Sequence, residues 1–346
     1  MNSKVMKFAE RLIGEDFDPL VIAEIGINHG GDLDVALEMV DAAASAGAEV
    51  IKHQTHIVDD EMSGEAKSVL PGNADISIFE IMKNCSLSEE EELELMNYIL
   101  SKGIIFLSTP FSRAAFHRLE KFSVPGFKIG SGECNNFPLL ELVAETQKPV
   151  IISTGMNNFQ TIDKVVEMFE KSRSDYALLH TTNLYPTPPS LVRLGAMQEM
   201  KERYDVPIGL SDHTKDNLAC FGAVALGASI LERHFTDSME REGPDIVCSM
   251  DPAALEELIY GSKVLKQERG GKKSILDEEQ VTINFAYSTV VTIKNIKEGD
   301  IFSSENLWVK RPGTGEILAE QYKSVLGKKA TRDIPIDTHL LLNDYY

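Results

Sequence analysis

The sequence is poor in cysteine, in tryptophan and in long apolar runs. Among its 346 residues are four cysteines and one tryptophan. Because the cysteines are scattered without C-x-x-C spacing, neither a zinc knuckle nor a disulfide framework is indicated. No stretch approaches the about 20 apolar residues of a membrane span, and residues 1–14 contain no apolar run of signal length. We therefore expect a cytoplasmic protein with reduced thiols and no membrane partner.

Basic residues are also scarce. The chain carries 54 acidic and 34 basic side chains, for a formal net charge of −20. A protein that neutralises many phosphates of nucleic acid, or an anionic membrane surface, needs the opposite balance. We therefore expect no nucleic-acid partner, and any anion that the protein binds must be held by local groups.

Short β-rich runs alternate with amphipathic helical stretches from about Leu20 onward, which is the pattern of parallel βαβ units. Eight such runs are followed by helical segments over roughly 250 residues, as a (β/α)8 or TIM barrel requires. An open doubly wound α/β sheet is the alternative fold. The predicted strands are Leu20–Ile27, Glu49–Thr55, Ile104–Ser108, Phe127–Gly130, Pro149–Ser153, Tyr176–His180, Pro207–Leu210 and Ser229–His234.

The rhythm of strands and helices breaks after the last helical segment, at Gly270-Gly271-Lys272-Lys273. We predict a barrel domain over residues 1–275, a linker over 276–283 and a small domain over 284–346. The small domain is β-biased and rich in turns, and its length is too short to build a large core alone.

Polar side chains lie near the end of nearly every predicted strand, where the catalytic groups of a TIM barrel are found. Lys52 and Lys128 lie within apolar strand sequence, and a buried lysine is costly unless it is paired with an anion. Taken singly, each of the hydroxyl and amide residues is better explained as a cap or turn residue. With the two lysines they would suit a phosphate group. These residues are Thr109, Ser131, Ser153, Asn183 and Ser211.

His213 and His234 end adjacent strands, so their imidazoles could face one point above the barrel. Two histidines leave most positions of an octahedral ion for water and substrate oxygens, which favours Mn²⁺, Mg²⁺ or Co²⁺ as a Lewis acid over a closed zinc site. The alternative is a pair of ordinary core or loop histidines. His53, His56 and His117 give no comparable signal.

Several longer motifs make the sequence recognisable. The chain closely resembles the N-acetylneuraminate synthase family over about residues 20–345, in order and without large gaps, and its last segment is similar to the antifreeze-like (SAF) domain of that family. The motifs that carry the resemblance are I-A-E-I-G-I-N-H-G-G, V-I-K-H-Q-T-H, S-T-P-F-S, F-K-I-G-S-G-E-C-N-N, I-S-T-G-M, H-T-T-N-L-Y-P-T, G-L-S-D-H-T, E-R-H-F-T and L-W-V-K-R-P-G.

The resemblance implies a TIM barrel followed by a SAF domain that reaches over the partner's active site in a domain-swapped homodimer. It also implies a reaction in which phosphoenolpyruvate, N-acetylmannosamine and water give N-acetylneuraminate and phosphate, with a divalent ion that is usually manganese. His213 and His234 match the metal ligands of the family, and Arg311 would come from the other subunit.

The same resemblance assigns the remaining site residues. Glu24 and Glu133 match carboxylates near the reacting carbons, and with Lys52 and Lys128 they form the expected catalytic group. Glu133 is the candidate that orients or deprotonates the attacking water. The positions that match phosphoenolpyruvate contacts are Lys52, Thr109, Lys128, Ser131, Ser153, Asn183 and Ser211. The positions that match sugar contacts are Gln54, Asn73, Tyr185, Asp245, Phe285 and Arg311.

Other readings remain open at this point. A sister synthase could use a 2,4-diacetamido sugar, the precursor of legionaminic or pseudaminic acid, although the loop around Asn73 and Tyr185 resembles the N-acetylmannosamine enzymes more. A 9-phosphate synthase would need an added cationic pocket that the sequence does not reveal. A non-catalytic sugar-binding protein would be expected to lack the lysines or histidines, which are all present.

Overall fold

The computed structural model describes residues 5–70 and 75–346, and these form two compact units that divide between Gly270 and Gly271. Each unit has its own buried apolar cluster. No helix of the described residues is long and apolar enough to cross a membrane.

The first unit is built on an eight-stranded parallel sheet in the order β5-β4-β3-β10-β9-β8-β7-β6. The end strands β5 and β6 pack side by side, so the sheet curls into a barrel. This confirms the predicted TIM barrel and excludes the open sheet. The strands are β3 (Leu20–Glu24), β4 (Val50–Thr55), β5 (Ile105–Pro110), β6 (Phe127–Ile129), β7 (Val150–Ser153), β8 (Tyr176–Thr181), β9 (Ile208–Asp212) and β10 (Ile230–His234).

The first barrel strand is shorter than predicted. It ends at Glu24 rather than Ile27, because the Glu24 carboxylate accepts a hydrogen bond from the Gly26 N–H at 2.8 Å. The Asn28 N–H then bonds the Ile25 carbonyl at 3.0 Å and closes a turn. The Glu24 side chain therefore occupies the Gly26 N–H, which a longer strand would need for a hydrogen bond to its neighbouring strand.

Helices surround the barrel and bury their apolar faces against it. Several begin at an Asp, Ser or Asn whose side chain accepts a backbone N–H of the first turn, which satisfies a donor that the helix itself cannot. Such caps are Asp32, Ser88, Ser112, Asn136, Asn158 and Asp251. The helices are α1 (Leu33–Ser45), α2 (Val58–Glu61), α3 (Ile78–Cys85), α4 (Glu89–Ser101), α5 (Arg113–Lys121), α6 (Phe137–Glu145), α7 (Phe159–Ser172), α8 (Leu194–Arg203), α9 (Leu218–Ala225) and α10 (Pro252–Glu268).

An antiparallel hairpin that the sequence reading missed precedes the barrel. Its strands are β1 (Met6–Phe8) and β2 (Arg11–Ile13). The apolar side chains of this hairpin pack with residues near the N-terminal ends of the barrel strands, such as Leu20 and Ile230. The hairpin therefore closes one end of the barrel with apolar side chains, and the polar strand ends lie at the other.

The second unit contains a short helix α11 (Gln280–Ala286), an antiparallel pair β11 (Thr289–Thr292) and β12 (Leu307–Lys310), and a helix α12 (Tyr322–Val325). Its core includes Val290, Phe302 and Leu340. The predicted linker 276–283 is not irregular. It carries a 3-10 turn at Asp277–Glu279 and then the start of α11, and the Glu279 carboxylate caps the Leu276 N–H at 3.0 Å.

The hairpin gives a test of the fold. Phe8 is fully buried among barrel residues, so Phe8→Ala should lower the free energy of unfolding of the barrel unit by about 3–5 kcal/mol through lost burial and a cavity. The matched control is Leu12→Ala in the same hairpin, where the side chain is 41% exposed and the effect should be small. Denaturant titration followed by circular dichroism measures the stability of both variants. Equal unfolding midpoints would contradict the conclusion that the hairpin closes one end of the barrel.

Candidate active site

A cleft of about 420 Å³ opens at the C-terminal ends of the barrel strands. Because all eight strands are parallel, the side chains at these ends meet on one face of the barrel. Most of the predicted site residues of the first unit line the cleft. They are Lys52, Gln54, Thr109, Lys128, Ser131, Ser153, Asn183, Tyr185, Ser211, His213, His234 and Asp245.

The other predicted residues lie elsewhere. Glu24 is buried at the end of β3, where it pairs with Lys52. Glu133 begins a 3-10 turn just after Gly132, a lining residue of the cleft. Asn73 lies outside the described residues. Phe285 and Arg311 belong to the second unit, and both are exposed there.

Two buried lysines are the strongest electrostatic feature of the cleft. Lys52 and Lys128 are 5% and 1% exposed. The Lys52 ammonium pairs with Glu24 and lies 3.8 Å from the Glu232 carboxylate, which is 3.5 Å from the Lys128 ammonium. Lys128 also donates to the Ser153 hydroxyl at 2.7 Å. Strand position therefore places two cations side by side within the barrel.

Burial makes both charges costly to hold. It lowers the pKa of Lys52 to about 8, with the nearby Lys128 acting in the same direction and Glu232 opposing. Burial also lowers the pKa of Lys128, against the attraction of Glu232. For Glu232, burial acts to raise the pKa, but the charges of Lys128 and Lys52 outweigh it and the pKa is lowered. An anionic ligand would stabilise both ammonium groups further.

Hydrogen-bonding groups with free capacity surround the lysines. The Thr109 hydroxyl and the Asn183 side-chain oxygen are buried and have no hydrogen-bond partner among the described residues. The Ser131 hydroxyl accepts the Gly155 N–H at 3.1 Å and can still donate. A buried polar group normally has a partner, so these atoms are suited to a polar ligand.

The structure brings His213 and His234 together, with ring centroids 5.4 Å apart. The His213 Nδ1 donates to the Thr182 carbonyl at 2.9 Å, which leaves Nε2 with a free lone pair. The His234 Nδ1 is buried without a hydrogen-bond partner in the described part of the chain. Tyr185 stacks on His213 at 4.1 Å and holds its ring in place.

Both imidazoles are suited to a metal ion. Burial lowers the pKa of His213 to about 4, with His234 acting in the same direction. Burial lowers the pKa of His234 to about 3, with Lys52 contributing. Neutral imidazole is the form that binds a metal. Within residues 5–70 and 75–346 no group of three or more His, Cys, Asp or Glu is placed to hold an ion, so this pair would leave further coordination positions to oxygen ligands.

Two carboxylates near the cleft are shifted toward the protonated form. Burial raises the pKa of Asp245 to about 6, and its Oδ2 lies 3.7 Å from the His234 Nδ1. Burial also raises the pKa of Glu133, against a hydrogen bond of 2.5 Å from the Asn136 side chain and with the charge of Glu61 adding to the rise. A carboxylate with a raised pKa is a stronger base than an ordinary carboxylate.

Sequence reasoning missed part of the cleft. The sequence analysis assigns no role to Glu232, although this residue lies two positions before His234 and so faces the same side of β10. His56 and Glu61 line the cleft beside an apolar wall that the segment between β4 and α4 supplies. These wall residues are Met62, Ile78, Ile81 and Met82. Most of these residues lie in the short helices α2 and α3, outside the barrel strands, so the strand pattern could not reveal them.

Comparison with known proteins identifies the family of the chain. The NeuB family model matches residues 39–274, and the SAF domain model matches residues 287–345. The N,N'-diacetyllegionaminic acid synthase of Campylobacter jejuni is 37% identical, over 92% of this chain and 97% of that protein. The human N-acetylneuraminate-9-phosphate synthase is 31% identical, over 96% of this chain and 94% of that protein.

A solved structure of the N-acetylneuraminic acid (sialic acid) synthetase from Leptospira borgpetersenii, in complex with citrate, aligns with a TM-score of 0.75 at 33% identity. The alignment covers 81% of this chain and 95% of that one. The predicted enzyme class, a transferase that forms a carbon–carbon bond, is confirmed by these named synthases. The chain belongs to the NeuB family, and it carries a SAF domain after its barrel.

Proposed function

We propose that this chain is an N-acetylneuraminate synthase, which condenses phosphoenolpyruvate with N-acetylmannosamine and water and releases phosphate. The observation that carries the proposal is the juxtaposition, in one cleft, of the buried Lys52 and Lys128 with the neutral pair His213 and His234. A cationic subsite for a small anion next to a subsite for a divalent ion matches the two substrates of such a reaction.

Phosphoenolpyruvate would bind against the two lysines. Its phosphate and carboxylate groups are negatively charged and can accept hydrogen bonds from the buried ammonium groups. Such charge-assisted hydrogen bonds are stronger than those between neutral groups. The neighbouring polar side chains that line the cleft are Thr109, Ser131, Ser153, Asn183 and Ser211. Since these groups are fixed by the barrel strands, they would also stabilise charge that develops in the transition state.

The sugar would bind on the histidine side of the cleft. A divalent ion held by His213 and His234, with Mn²⁺ proposed and Mg²⁺ or Co²⁺ as alternatives, would supply Lewis-acid polarisation of the sugar aldehyde. Tyr185 and Asp245 lie beside these histidines, and Gln54 lines the same cleft. Asn73 is proposed to contact the sugar as well.

Carbon 3 of phosphoenolpyruvate would form the new bond to the aldehyde carbon, and the aldehyde oxygen would take up a proton. The electron pair comes from the double bond between carbons 2 and 3, so positive charge develops at carbon 2. Water then adds to carbon 2 and loses one proton, which leaves a hydroxyl and the phosphate on the same carbon. The bond from carbon 2 to the phosphate oxygen then breaks, the hydroxyl proton passes to the leaving phosphate, and a keto acid remains. Glu133, with its raised pKa, is the proposed acceptor of the water proton.

Glu24 and Glu232 would act on the lysines. Each buried carboxylate contacts an ammonium group, so the pair keeps Lys52 and Lys128 charged and in position before phosphoenolpyruvate arrives. Glu24 also accepts from the Gln54 amide at 3.4 Å, which links the anion subsite to the sugar subsite.

A 2,4-diacetamido sugar is the second candidate substrate. It is favoured by the 37% identity to a legionaminic acid synthase and by the apolar wall of Met62, Ile78, Ile81 and Met82, which could accept additional methyl groups. N-acetylmannosamine is preferred because the motif around Asn73 and Tyr185 resembles the enzymes that use it.

Phosphate release from phosphoenolpyruvate by metal-stripped enzyme tests the proposal. Release should require Mn²⁺ and N-acetylmannosamine together, and 2,4-diacetamido-2,4,6-trideoxymannose should be turned over less well. His213→Ala and His234→Ala should abolish release and also weaken Mn²⁺ binding measured by electron paramagnetic resonance. Preference for the diacetamido sugar would move the substrate to the second candidate, and absence of release with both sugars would refute the synthase assignment.

We also propose that the chain acts as a domain-swapped homodimer, in which Phe285 and Arg311 of one subunit serve the cleft of the other. Lys128→Met and Arg311→Ala should each be inactive as pure proteins. After co-refolding, mixed dimers would contain one cleft with both native residues, so activity should return to about a quarter of wild type. No recovery in a mixture that forms dimers would contradict the exchange.

The role of Glu232 gives a stability prediction. Glu232→Gln leaves Lys128 buried without a carboxylate, so the free energy of unfolding should fall by about 3–5 kcal/mol. Glu240→Gln is the control, because Glu240 is exposed and its loss should change stability by less than about 0.5 kcal/mol. Denaturant titration compares the two, and a variant as stable as the control would show that Glu232 does not stabilise the lysines.

A further inference from the structure

Arg233 is the largest of the fully buried side chains in the described residues. It is 1% exposed and lies on β10 between Glu232 and His234. Glu232 and His234 line the cleft, so the alternation of side chains along a strand places Arg233 on the opposite side of β10. A buried arginine is costly unless it is paired, and its contacts therefore show what it holds in place.

The Arg233 guanidinium joins the two loops that follow β9 and β10. Its Nη1 donates to the Asn217 side-chain oxygen at 2.6 Å, and its Nη2 donates to the Thr214 carbonyl at 2.6 Å and to the Cys248 carbonyl at 3.4 Å. Its Nε lies 3.3 Å from the Asp212 Oδ2, so a carboxylate balances the charge. The direction of the hydrogen bonds is fixed, because arginine only donates and a carbonyl oxygen only accepts.

Asp212 and Thr214 flank His213 in the chain. The Asp212 carboxylate accepts the Thr214 N–H at 3.1 Å and the Thr214 hydroxyl at 2.7 Å, which closes a tight turn with His213 at its centre. Arg233 contacts the residue on each side of His213 and itself immediately precedes His234. One side chain therefore connects the two backbone segments that carry the histidines.

The pairing of β9 with β10 does not extend to the histidines. The last pair in the ladder is Asp212 with Arg233, and β9 ends at Asp212, so His213 lies one residue beyond the strand. The His213 carbonyl accepts the Thr187 N–H at 2.9 Å, but this bond connects it to the segment after β8 and not to β10. The Arg233 guanidinium therefore supplies a connection to β10 at the point where the ladder no longer provides one.

We propose that Arg233 is a positioning residue that sets the separation of His213 and His234, and through it the affinity of the cleft for a divalent ion. The link to the ion rests on the proposed function, whereas the effect on the separation of the two rings does not. Residues that orient metal ligands from behind typically contribute about 10- to 100-fold to metal affinity. Lysine would keep the charge of Arg233, but its single nitrogen cannot reproduce the planar fork that holds Asn217 and Thr214 together.

Arg233→Lys tests the effect on the ion, with the dissociation constant for Mn²⁺ measured by electron paramagnetic resonance on metal-stripped full-length protein. The matched control is Arg269→Lys, because Arg269 donates to the carbonyls of Glu15 at 2.7 Å and Val224 at 2.9 Å, away from the cleft. The dissociation constant should rise about 10- to 100-fold in Arg233→Lys and stay within about two-fold of wild type in Arg269→Lys. An unchanged constant in Arg233→Lys, or an equal rise in both variants, would overturn the proposal.

Asn217→Ala is a milder variant that keeps the arginine and removes one of its anchors, and it decides the question if Arg233→Lys does not fold. The Asn217 side chain accepts from Nη1 and makes no capping bond to α9, so the helix does not depend on it. The dissociation constant for Mn²⁺ should rise by about 3- to 10-fold, as expected for loss of a hydrogen bond to a charged group. An unchanged constant in folded Asn217→Ala would count against the proposal and overturn it.

Crystal structures of wild type and Arg233→Lys, or Asn217→Ala in its place, test the positioning role without a metal ion. The ring centroids of His213 and His234 are 5.4 Å apart. We expect this separation to change in the variant by more than about 0.5 Å, the tolerance within which a functional site must be held. An unchanged separation would overturn the positioning role. Failure of the wild type to bind Mn²⁺ would instead refute the metal-dependent synthase proposal, and the ring separation would still decide the role of Arg233.

Discussion

The burial of two ammonium groups at one end of the barrel is the constraint on which the rest of the site depends. Lys52 and Lys128 lie on inward-facing positions of β4 and β6, where water cannot solvate them. Glu24 and Glu232 compensate their charge. The two ammonium groups are therefore paired with carboxylates before any ligand binds.

The polar residues of the cleft and the apolar residues of the hairpin lie at opposite ends of the barrel strands. The hairpin of β1 and β2 fills one end of the barrel with apolar side chains, and the same strands carry polar groups at their other end. Burying charged groups at one end of these strands costs free energy of folding, and apolar packing at the other end offsets that cost. The short hairpin at the start of the chain thus contributes to the site without touching it.

Much of the fold and part of the site could be predicted from the sequence for identifiable physical reasons. Barrel strands are fully buried and therefore read as continuous β-rich runs, and parallel strands bring their polar ends together. The hairpin strands are only three residues long and partly exposed, so they have no pattern to detect. Helical caps such as Glu279 act over one turn and were hidden within a polar stretch that looked like a linker.

The sequence analysis missed some site residues for a different reason, which is that their roles depend on side chains from other parts of the chain. Glu232 gains meaning only from the lysines that two other strands place beside it. His56 contacts Gln54 of β4 through one ring nitrogen and Glu61 of α2 through the other, an arrangement that no sequence pattern indicates. Single-residue signals identify which side chains are unusual, whereas the hydrogen-bond network identifies what they do. Roles that depend on the second unit, such as that of Arg311, stay predictions.

The proposed reaction requires water to add to carbon 2 of phosphoenolpyruvate and the bond between carbon 2 and the bridging oxygen to break. Phosphoenolpyruvate labelled with oxygen-18 at this bridging oxygen, with mass spectrometry of both products, shows which bond breaks. We expect the label to leave with phosphate. Label retained in the sugar acid would mean that the phosphorus–oxygen bond breaks instead, and the proposed reaction would be wrong.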